Sequence, residues 1–204
     1  MGKRGPRPHF DRDEALRKAM LTFWEYGYEG TSMAQLRAAM GGIGAPSVYA
    51  TFTSKAALFH EVVDLYEAEN AFLWQKVFDQ PGTYSAIETL LRASVLLYTT
   101  PGHPRGCLLN LGVMDSTPEN RGIQDYLRVR RQAYVERIQA RLQRGLVDGD
   151  LDPDLDVKVL AEFYYSILLG VSTQASDGAS QETLLNIVDV AMKAWPTGKR
   201  QNSL

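Results

Sequence analysis

The sequence predicts an all-α fold. Apolar residues recur at the helical spacing of 3.6 from one end of the chain to the other, and no segment alternates apolar and polar residues as a half-buried strand would. Capping residues and prolines divide this pattern into segments of helical length. With 45% apolar residues the chain can bury a substantial core, so we expect about nine packed helices.

The first three predicted helices lie close together in the sequence. A start at Asp11 with Glu14 three residues later resembles a capping box, and Gly27 ends this first helix, 11–27. Ser32 and Gln35 form a second capping box, which predicts a helix over 32–40. Glycines 41, 42 and 44 then break the chain, and Pro46 suits the first turn of a third helix, 45–51.

Six further helices should follow, and the sixth helix of the chain is short. Ser54, with Thr53 as the alternative, can cap the fourth, Thr117-Pro118 the seventh, Asp152-Pro153 the eighth and Ser180 the ninth. The chain therefore divides into an N-terminal three-helix domain, 1–54, and a larger helical body, 55–204. The six predicted helices of the body span 55–78, 84–98, 107–115, 118–146, 153–175 and 180–195.

Charge is distributed unevenly between the two parts of the chain. Residues 1–60 carry eight Lys and Arg against five Asp and Glu, whereas residues 61–204 carry 14 against 19. The N-terminal part is therefore better suited to a polyanion than the rest.

The single cysteine and the three histidines indicate which cellular compartment and which cofactors to expect. Cys107 excludes an internal disulfide and fits a reducing cytoplasm; it is either a small buried filler or an oxidant or electrophile sensor. The histidines His9, His60 and His103 lack metal-ligand spacing, so we expect no metal and no cofactor. With no run of about 20 apolar residues, we expect a cytoplasmic protein without a membrane span.

Three motifs follow one another in the N-terminal region. Residues 27–32 read GYEGTS, residues 47–52 fit the pattern SxYxxF, and residues 54–58 fit SKxxL. In this order and spacing, over about residues 10–60, they resemble the TetR family of bacterial transcriptional regulators, including its AcrR-like members. Beyond residue 60 the resemblance extends only to the number and length of the helices.

The resemblance implies a helix-turn-helix whose second helix crosses the DNA backbone and whose third lies in the major groove. Phosphates would be held at the start of the second helix and, by similarity, by a tyrosine and a lysine further on. The basic arm either reaches the minor groove or is a solvated terminus. The candidate DNA-binding residues are Thr31, Ser32, Ala45, Pro46, Ser47, Tyr49 and Lys55, with Lys3, Arg4 and Arg7 in the arm.

The third helix offers few groups that can read bases. Among Ala45, Pro46 and Ser47 there is one side-chain hydroxyl, so thymine methyl contacts and DNA shape should supply much of the discrimination. The turn before this helix departs from the family pattern in two ways: Gly41-Gly42 adds a residue, and Gly44 replaces the usual serine cap. Both changes should alter the angle of the third helix.

For the body, the resemblance implies an apolar ligand cavity between the fourth and eighth predicted helices. Aromatic residues at helical spacing are also typical of a core, so each candidate has that alternative role. The candidate ligand-binding residues are Phe72, Tyr98, Met114, Tyr126, Tyr134, Phe163 and Tyr164.

The eighth predicted helix is apolar almost all round over residues 163–171, so one face should remain to be covered after the other packs on the body. With the amphipathic ninth helix it should form a two-fold symmetric dimer contact. The alternative is the central helix of a monomer. The candidate dimerisation residues are Tyr165, Leu168, Leu169, Ile187, Val188 and Ala191.

Together these features predict a ligand-responsive repressor that binds a pseudo-palindromic DNA operator as a homodimer. A small apolar or aromatic ligand of unknown identity would release it. The alternatives are an effector-independent regulator, an activator, and an enzyme or scaffold that kept a decayed helix-turn-helix. The sequence has no phosphate-binding glycine loop, nucleophile elbow or paired carboxylates with a placed histidine, so we do not expect an enzyme.

Overall fold

The computed structural model describes residues 11–42, 44–111 and 118–196, with side chains described except at 45–47, 49, 111 and 118. Within these residues there are α-helices, one short 3-10 turn at Pro118–Asn120 and no β-strand, which confirms the all-α prediction. The helices are α1 Arg12–Gly30, α2 Met33–Ala39, α3 Ala45–Phe52, α4 Lys55–Glu69, α5 Ala71–Phe78, α6 Thr83–Tyr98, α7 Leu108–Leu111, α8 Arg121–Val147, α9 Val157–Ser176 and α10 Gln181–Lys193.

Three helices differ from their predicted extent. The eighth predicted helix begins at Val157, as α9, and not at Pro153. Its cap is Asp156 and not Asp152, because Asp156 Oδ1 accepts from the amides of Lys158 at 3.0 Å and Val159 at 3.1 Å.

The predicted fourth helix is divided into α4 and α5 at Asn70, whose Nδ2 donates to the Tyr66 carbonyl at 2.7 Å. Asparagine competes with the backbone for hydrogen bonds, which favours a break there. Helix α1 continues past Gly27, where φ is 69° and ψ is 175°, a conformation that is essentially restricted to glycine. Gly27 is therefore a kink and not an end.

The N-terminal domain packs around α1, which contacts α2 and α4. Phe23 on α1 meets the ring of Phe59 on α4 edge-on, with 5.0 Å between centroids. Leu36 of α2 and Val48 of α3 are fully buried in the same core. Burying one such side chain contributes about 1.5–3 kcal/mol, so these contacts set the positions of the short helices.

In the body, α6 lies against α5, α8, α9 and α10. A network of hydrogen bonds joins the start of α6 to the C-terminal part of α8. Arg141, only 1% exposed, donates to Thr83 Oγ1 at 2.9 Å, and the amide and hydroxyl of Thr83 both donate to Asp150 Oδ2 at 2.8 Å. The buried guanidinium is thus hydrogen bonded at the point where the two helices meet.

The loop between α6 and α7, which belongs to the body, is hydrogen bonded both to the N-terminal domain and to α9. The indole Nε1 of Trp24 donates to the Gly106 carbonyl at 3.2 Å. The guanidinium of Arg105 donates to the carbonyls of Ala175, at 2.7 Å, and Ala179, at the C-terminal end of α9. One continuous apolar core includes residues from both domains.

Candidate nucleic-acid interface

The start of α2 shows the predicted capping box. Ser32 Oγ accepts from the Gln35 amide at 3.2 Å, and the Ser32 amide donates to Gln35 Oε1 at 2.7 Å. Ser32 is exposed, so its contact with a phosphate stays a prediction. Thr31 requires a correction: it is 1% exposed, and its hydroxyl donates to the Gly27 carbonyl at 2.6 Å. Its side chain stabilises the end of α1 and has almost no surface for DNA.

The turn between α2 and α3 contains the predicted glycines. Gly41 and Gly42 have φ angles of 94° and 74°, in the left-handed region that other residues rarely adopt. The Gly42 amide donates to the Arg37 carbonyl at 2.9 Å and closes the end of α2. This turn permits the chain to reverse between two helices of fewer than nine residues.

Helix α3, the predicted reading helix, is anchored through two buried side chains. Val48 is fully buried and Phe52 is 2% exposed, with the guanidinium carbon of Arg12 5.1 Å from the Phe52 ring centroid. The predicted base- and phosphate-contacting positions Ala45, Pro46, Ser47 and Tyr49 are on this helix, but their side chains lie outside the described ones. The basic arm, with Lys3, Arg4 and Arg7, also lies outside the described residues.

Lys55 is the first residue of α4 and follows the cap Ser54, whose Oγ accepts from the Ala57 amide at 3.0 Å. Its Nζ lies 4.2 Å from the centroid of the Tyr28 ring, a cation–π distance. Burial lowers the pKa of Lys55, and the carboxylate of Glu29 opposes that shift. The structure thus places the amine beside the N-terminal end of a helix, held by an aromatic face.

Five residues of the body form what we call the tyrosine–thiol cluster: Tyr66, Tyr98, Cys107, Tyr134 and Tyr165. The Tyr66 hydroxyl donates to Cys107 Sγ at 3.5 Å, and Tyr98 is a second partner of the thiol. The hydroxyl of Tyr165 is buried and has no hydrogen-bond partner among the described residues. Burial raises the pKa of the Cys107 thiol, which fits the interpretation of this residue as a buried filler.

The cluster contains two of the seven candidate ligand-binding residues, Tyr98 and Tyr134, and both remain predictions in that role. Phe72 is 59% exposed on α5 and cannot line an interior cavity. The Tyr126 ring lies against that of His60, with 4.1 Å between centroids and a tilt of 31°, and its hydroxyl donates to Asp64 Oδ1 at 3.2 Å. Tyr126 therefore joins α8 to α4 near the surface. The pKa of Tyr126 is raised to about 12, chiefly by burial and then by Asp64.

Three further ligand candidates lie outside the tyrosine–thiol cluster or outside the described residues. Tyr164 is fully buried and its ring contacts those of Phe163 and Trp195. Its hydroxyl has no hydrogen-bond partner among the described residues. Phe163 is 37% exposed and lies on the surface formed by α9 and α10. Met114 lies outside the described residues.

The surface of α9 and α10 changes the predicted dimerisation set. Tyr165, Leu168, Val188 and Ala191 are each at most 9% exposed within one chain, so they have little surface to offer a second copy. Tyr165 and Leu168 were wrongly assigned because α9 is apolar almost all round over residues 163–171, so periodicity could not tell its inner face from its outer face. Val188 and Ala191 lie on α10, which packs on α6 and α9 of the same chain. The exposed apolar surface is a groove of about 590 Å³, here called the α9–α10 face. Its lining is Phe163, Ile167, Thr183, Asn186, Ile187, Val190, Ala191 and Ala194.

The described residues were compared with the requirements of a membrane-spanning helix and of a metal site. None of their helices combines the length and the apolar character needed to cross a membrane. Among the same residues, no three His, Cys, Asp or Glu side chains converge in a way that could hold a metal ion.

Family models match both parts of the chain. Residues 15–62 match the model described as bacterial regulatory proteins, tetR family, and residues 84–184 match the tetracyclin repressor-like C-terminal domain. The HTH-type transcriptional repressor ComR of Escherichia coli is 35% identical over 195 residues, which cover 95% of this chain and 92% of ComR.

Solved structures agree with these matches. The TetR family transcriptional regulator CifR, as a cysteine mutant complexed with 26-bp double-strand operator DNA, is 41% identical with a TM-score of 0.89. The match covers 94% of this chain and all of the CifR chain. A putative TetR regulator from Rhodococcus sp. RHA1 is 33% identical with a TM-score of 0.61, over 91% and 99% of the two chains.

These relatives are transcriptional regulators, which confirms the prediction that the chain is not an enzyme. The helix-turn-helix formed by α2 and α3, the helical body and the full-length matches lead to one conclusion. This chain belongs to the TetR family of bacterial DNA-binding transcriptional repressors.

Proposed function

We propose that the protein binds a pseudo-palindromic operator as a homodimer and is released from it by a small apolar or aromatic effector. The observation that carries the DNA part is the α2–turn–α3 unit, whose reading helix is anchored by Val48 and Phe52. The operator complex of CifR, at 41% identity, supports the same use of this unit here. Acting on a chromosomal operator, the protein would work in the bacterial cytoplasm.

The dimer part is supported by the α9–α10 face. An exposed apolar groove that continues over two adjacent helices supports an interaction surface. A two-fold axis through it would bring four helices together and set the two α3 helices about 34–36 Å apart, one turn of DNA. Operator half-sites should therefore be separated by about one helical turn.

The effector part is supported by the tyrosine–thiol cluster. Tyr66 comes from α4, Tyr98 from α6, Tyr134 from α8 and Tyr165 from α9, so a ligand among them would contact four helices. One of these, α4, begins with Lys55 at the DNA side. A ligand that binds the cluster better in the released arrangement of α4 would lower operator affinity by its differential affinity for the two arrangements.

The DNA role can be tested with a single hydroxyl. The operator is first selected from fragmented genomic DNA, and binding is then measured by fluorescence anisotropy. Tyr49→Phe should lower the affinity by at least about tenfold for each half-site, because a hydrogen bond to a charged phosphate contributes about 1.5–3 kcal/mol. The matched control is Tyr26→Phe, at an exposed tyrosine on α1, which should bind as the parent does. Unchanged binding by Tyr49→Phe would refute the phosphate contact.

The effector role can be tested by filling the cluster. Toluene and naphthalene serve as small apolar probes, and release of operator DNA is the readout. Cys107→Leu should bind operator normally but lose the response, because its larger side chain occupies the centre of the cluster, whereas Cys107→Ala should keep it. A Cys107→Leu variant released as readily as the parent would place the effector elsewhere.

An effector-independent repressor is the second candidate. It is favoured by the close packing of Tyr98 and Tyr164, which are 6% and 0% exposed. This candidate predicts that no compound in a broad apolar and aromatic panel changes operator affinity, and that none raises the melting temperature of the protein.

A further inference from the structure

We propose that a groove between the N-terminal domain and the body is a second effector site, which binds a small organic cation with an aromatic or apolar part. This groove, here called the junction groove, has a volume of about 420 Å³ and lies between α1 and the loop that joins α6 to α7. Its lining residues belong neither to the tyrosine–thiol cluster nor to the α9–α10 face. The lining includes Trp24, Glu25, Tyr26, His103, Arg105 and Ser176.

Helix α1 contributes a carboxylate and an aromatic ring to the junction groove. Trp24 is 3% exposed, and its indole donates to the α6–α7 loop at 3.2 Å. Tyr28, beyond the kink at Gly27, is 6% exposed. Between these two buried rings, Glu25 and Tyr26 are exposed and line the groove. Because the residues on both sides of them are fixed in the core, the carboxylate and the ring are presented from a rigid segment.

Glu25 is the uncompensated charge of the junction groove. Its carboxylate has no ion pair or hydrogen bond among the described residues. Arg105, in contrast, already donates to the carbonyls of Ala175 and Ala179 at the C-terminal end of α9, where the helix dipole is negative. An anion would compete with those carbonyls for the guanidinium, whereas a cation meets Glu25 without disrupting an existing contact.

The aromatic lining favours a cation that carries an apolar part. Tyr26 is 57% exposed, so its ring is available to a ligand on the side of α1. On the side of the loop, the His103 ring meets the Trp24 indole edge-on, with 5.9 Å between centroids. An ammonium group is attracted to the face of such rings, and an adjoining apolar group buries area against them. The volume lies within the usual range of small-molecule pockets, about 300–1,000 Å³.

The junction groove is placed to affect DNA binding because its walls belong to different parts of the protein. Glu25 and Tyr26 are on α1, which packs on α2 of the helix-turn-helix, whereas His103 and Arg105 are on a loop of the body. A cation held between these walls favours one arrangement of the N-terminal domain relative to the body. If operator DNA also discriminates between these arrangements, the cation and the operator must change each other's affinity by the same factor.

The binding test uses the full-length protein and isothermal titration calorimetry at about pH 8, where a free imidazole is neutral. Benzylamine is the probe, and benzyl alcohol and benzoate are its neutral and anionic counterparts of similar size. Benzylamine should bind about two- to fivefold more tightly than benzyl alcohol, the effect expected of an exposed ion pair, and benzoate should bind most weakly.

Substitutions on α1 locate the bound amine. Glu25→Gln should weaken benzylamine binding about two- to fivefold and leave benzyl alcohol unaffected. Tyr26→Ala should also weaken benzylamine binding about two- to fivefold, whereas Tyr26→Phe should not, because it keeps the ring. The matched control is Glu136→Gln, at an exposed glutamate of α8 that does not line the junction groove. Equal benzylamine binding by the parent and Glu25→Gln, or tighter binding of benzoate, would overturn the cation site.

The effector role is tested by operator anisotropy. Benzylamine should change operator affinity, and Glu25→Gln should need about two- to fivefold more amine for the same change. Cys107→Leu should keep this response while losing the response to toluene, so failure of the proposed apolar effector site and failure of the junction groove give different results. Loss of the amine response in Cys107→Leu would place the amine in the tyrosine–thiol cluster and refute the inference. Binding through Glu25 that leaves operator affinity unchanged would refute the effector role.

Discussion

Val190→Glu tests the α9–α10 face directly. Val190 is 66% exposed on α10, so its substitution should leave the fold of one chain intact. Fully burying a valine side chain contributes about 1.5 kcal/mol, the lower end of the range for such residues, so covering the exposed two-thirds contributes about 1 kcal/mol per chain. The two-fold symmetry of a dimer doubles this to about 2 kcal/mol, or about thirtyfold in the dimer dissociation constant. Placing a carboxylate in the same apolar groove should increase the loss to about a thousandfold.

Sedimentation velocity over a concentration series measures the dimer dissociation constant, and circular dichroism reports whether the chain is folded. Operator affinity should fall with the dimer, because two reading helices then no longer bind as one unit. The matched control is Val147→Glu, since Val147 is 80% exposed at the end of α8 and does not line the groove. The reasoning is refuted if Val190→Glu remains dimeric with the parent dissociation constant, or if Val147→Glu dissociates to the same extent.

Three further substitutions test the interior of the body. Gly145→Ala would place a Cβ 2.3 Å from Thr83 Oγ1, a hydroxyl held by Arg141 and Asp150, and should destabilise by about 2–4 kcal/mol and lower the melting temperature by at least about 5 °C. Gly122→Ala on the same helix, with nothing within 4 Å of the added carbon, should not, and equal melting temperatures for the two would contradict the clash. Asp150→Asn should lower the melting temperature near pH 7, because hydrogen bonds from Thr83 lower the pKa of Asp150. That stabilisation is present above the unfolded pKa of about 4 and is lost as the pH falls through the folded value, so the two melting curves should converge in acid; a constant difference would exclude the carboxylate. Tyr165→Phe should raise the melting temperature, since it removes a buried hydroxyl that has no partner among the described residues, and a lowered value would mean that the hydroxyl is paired.

The elements that the sequence predicted well depend on neighbours within four residues. The Ser32–Gln35 capping box, the Ser54 cap and the left-handed glycines at 41 and 42 all occur where the pattern placed them. Each is a local event, in which a side chain satisfies a nearby amide or a glycine permits a positive φ. The motifs over residues 27–58 indicated the family for the same reason, because they record that local geometry.

Packing between segments that are distant in the sequence could not be predicted as well from the sequence. Helix α9 is apolar on nearly every side, so periodicity could not tell that Tyr165 and Leu168 face the interior while Phe163 and Ile167 face outward. Thr31 is another case: its place in a family motif suggested a phosphate ligand, yet its hydroxyl closes the end of α1. Which face of a helix is covered depends on its neighbours in space, not on its own composition.

The sequence by itself determined the all-α class, the caps at Ser32 and Ser54, the glycine turn and the DNA-reading motif, since short-range hydrogen bonding and backbone sterics depend on adjacent residues. Three long-range hydrogen bonds were decided only by the tertiary structure: Tyr66 to Cys107, Arg141 to Thr83, and Asn120 to Glu29. These contacts join residues 41 to 91 positions apart, and a side chain's partner at that range is set by how whole helices pack.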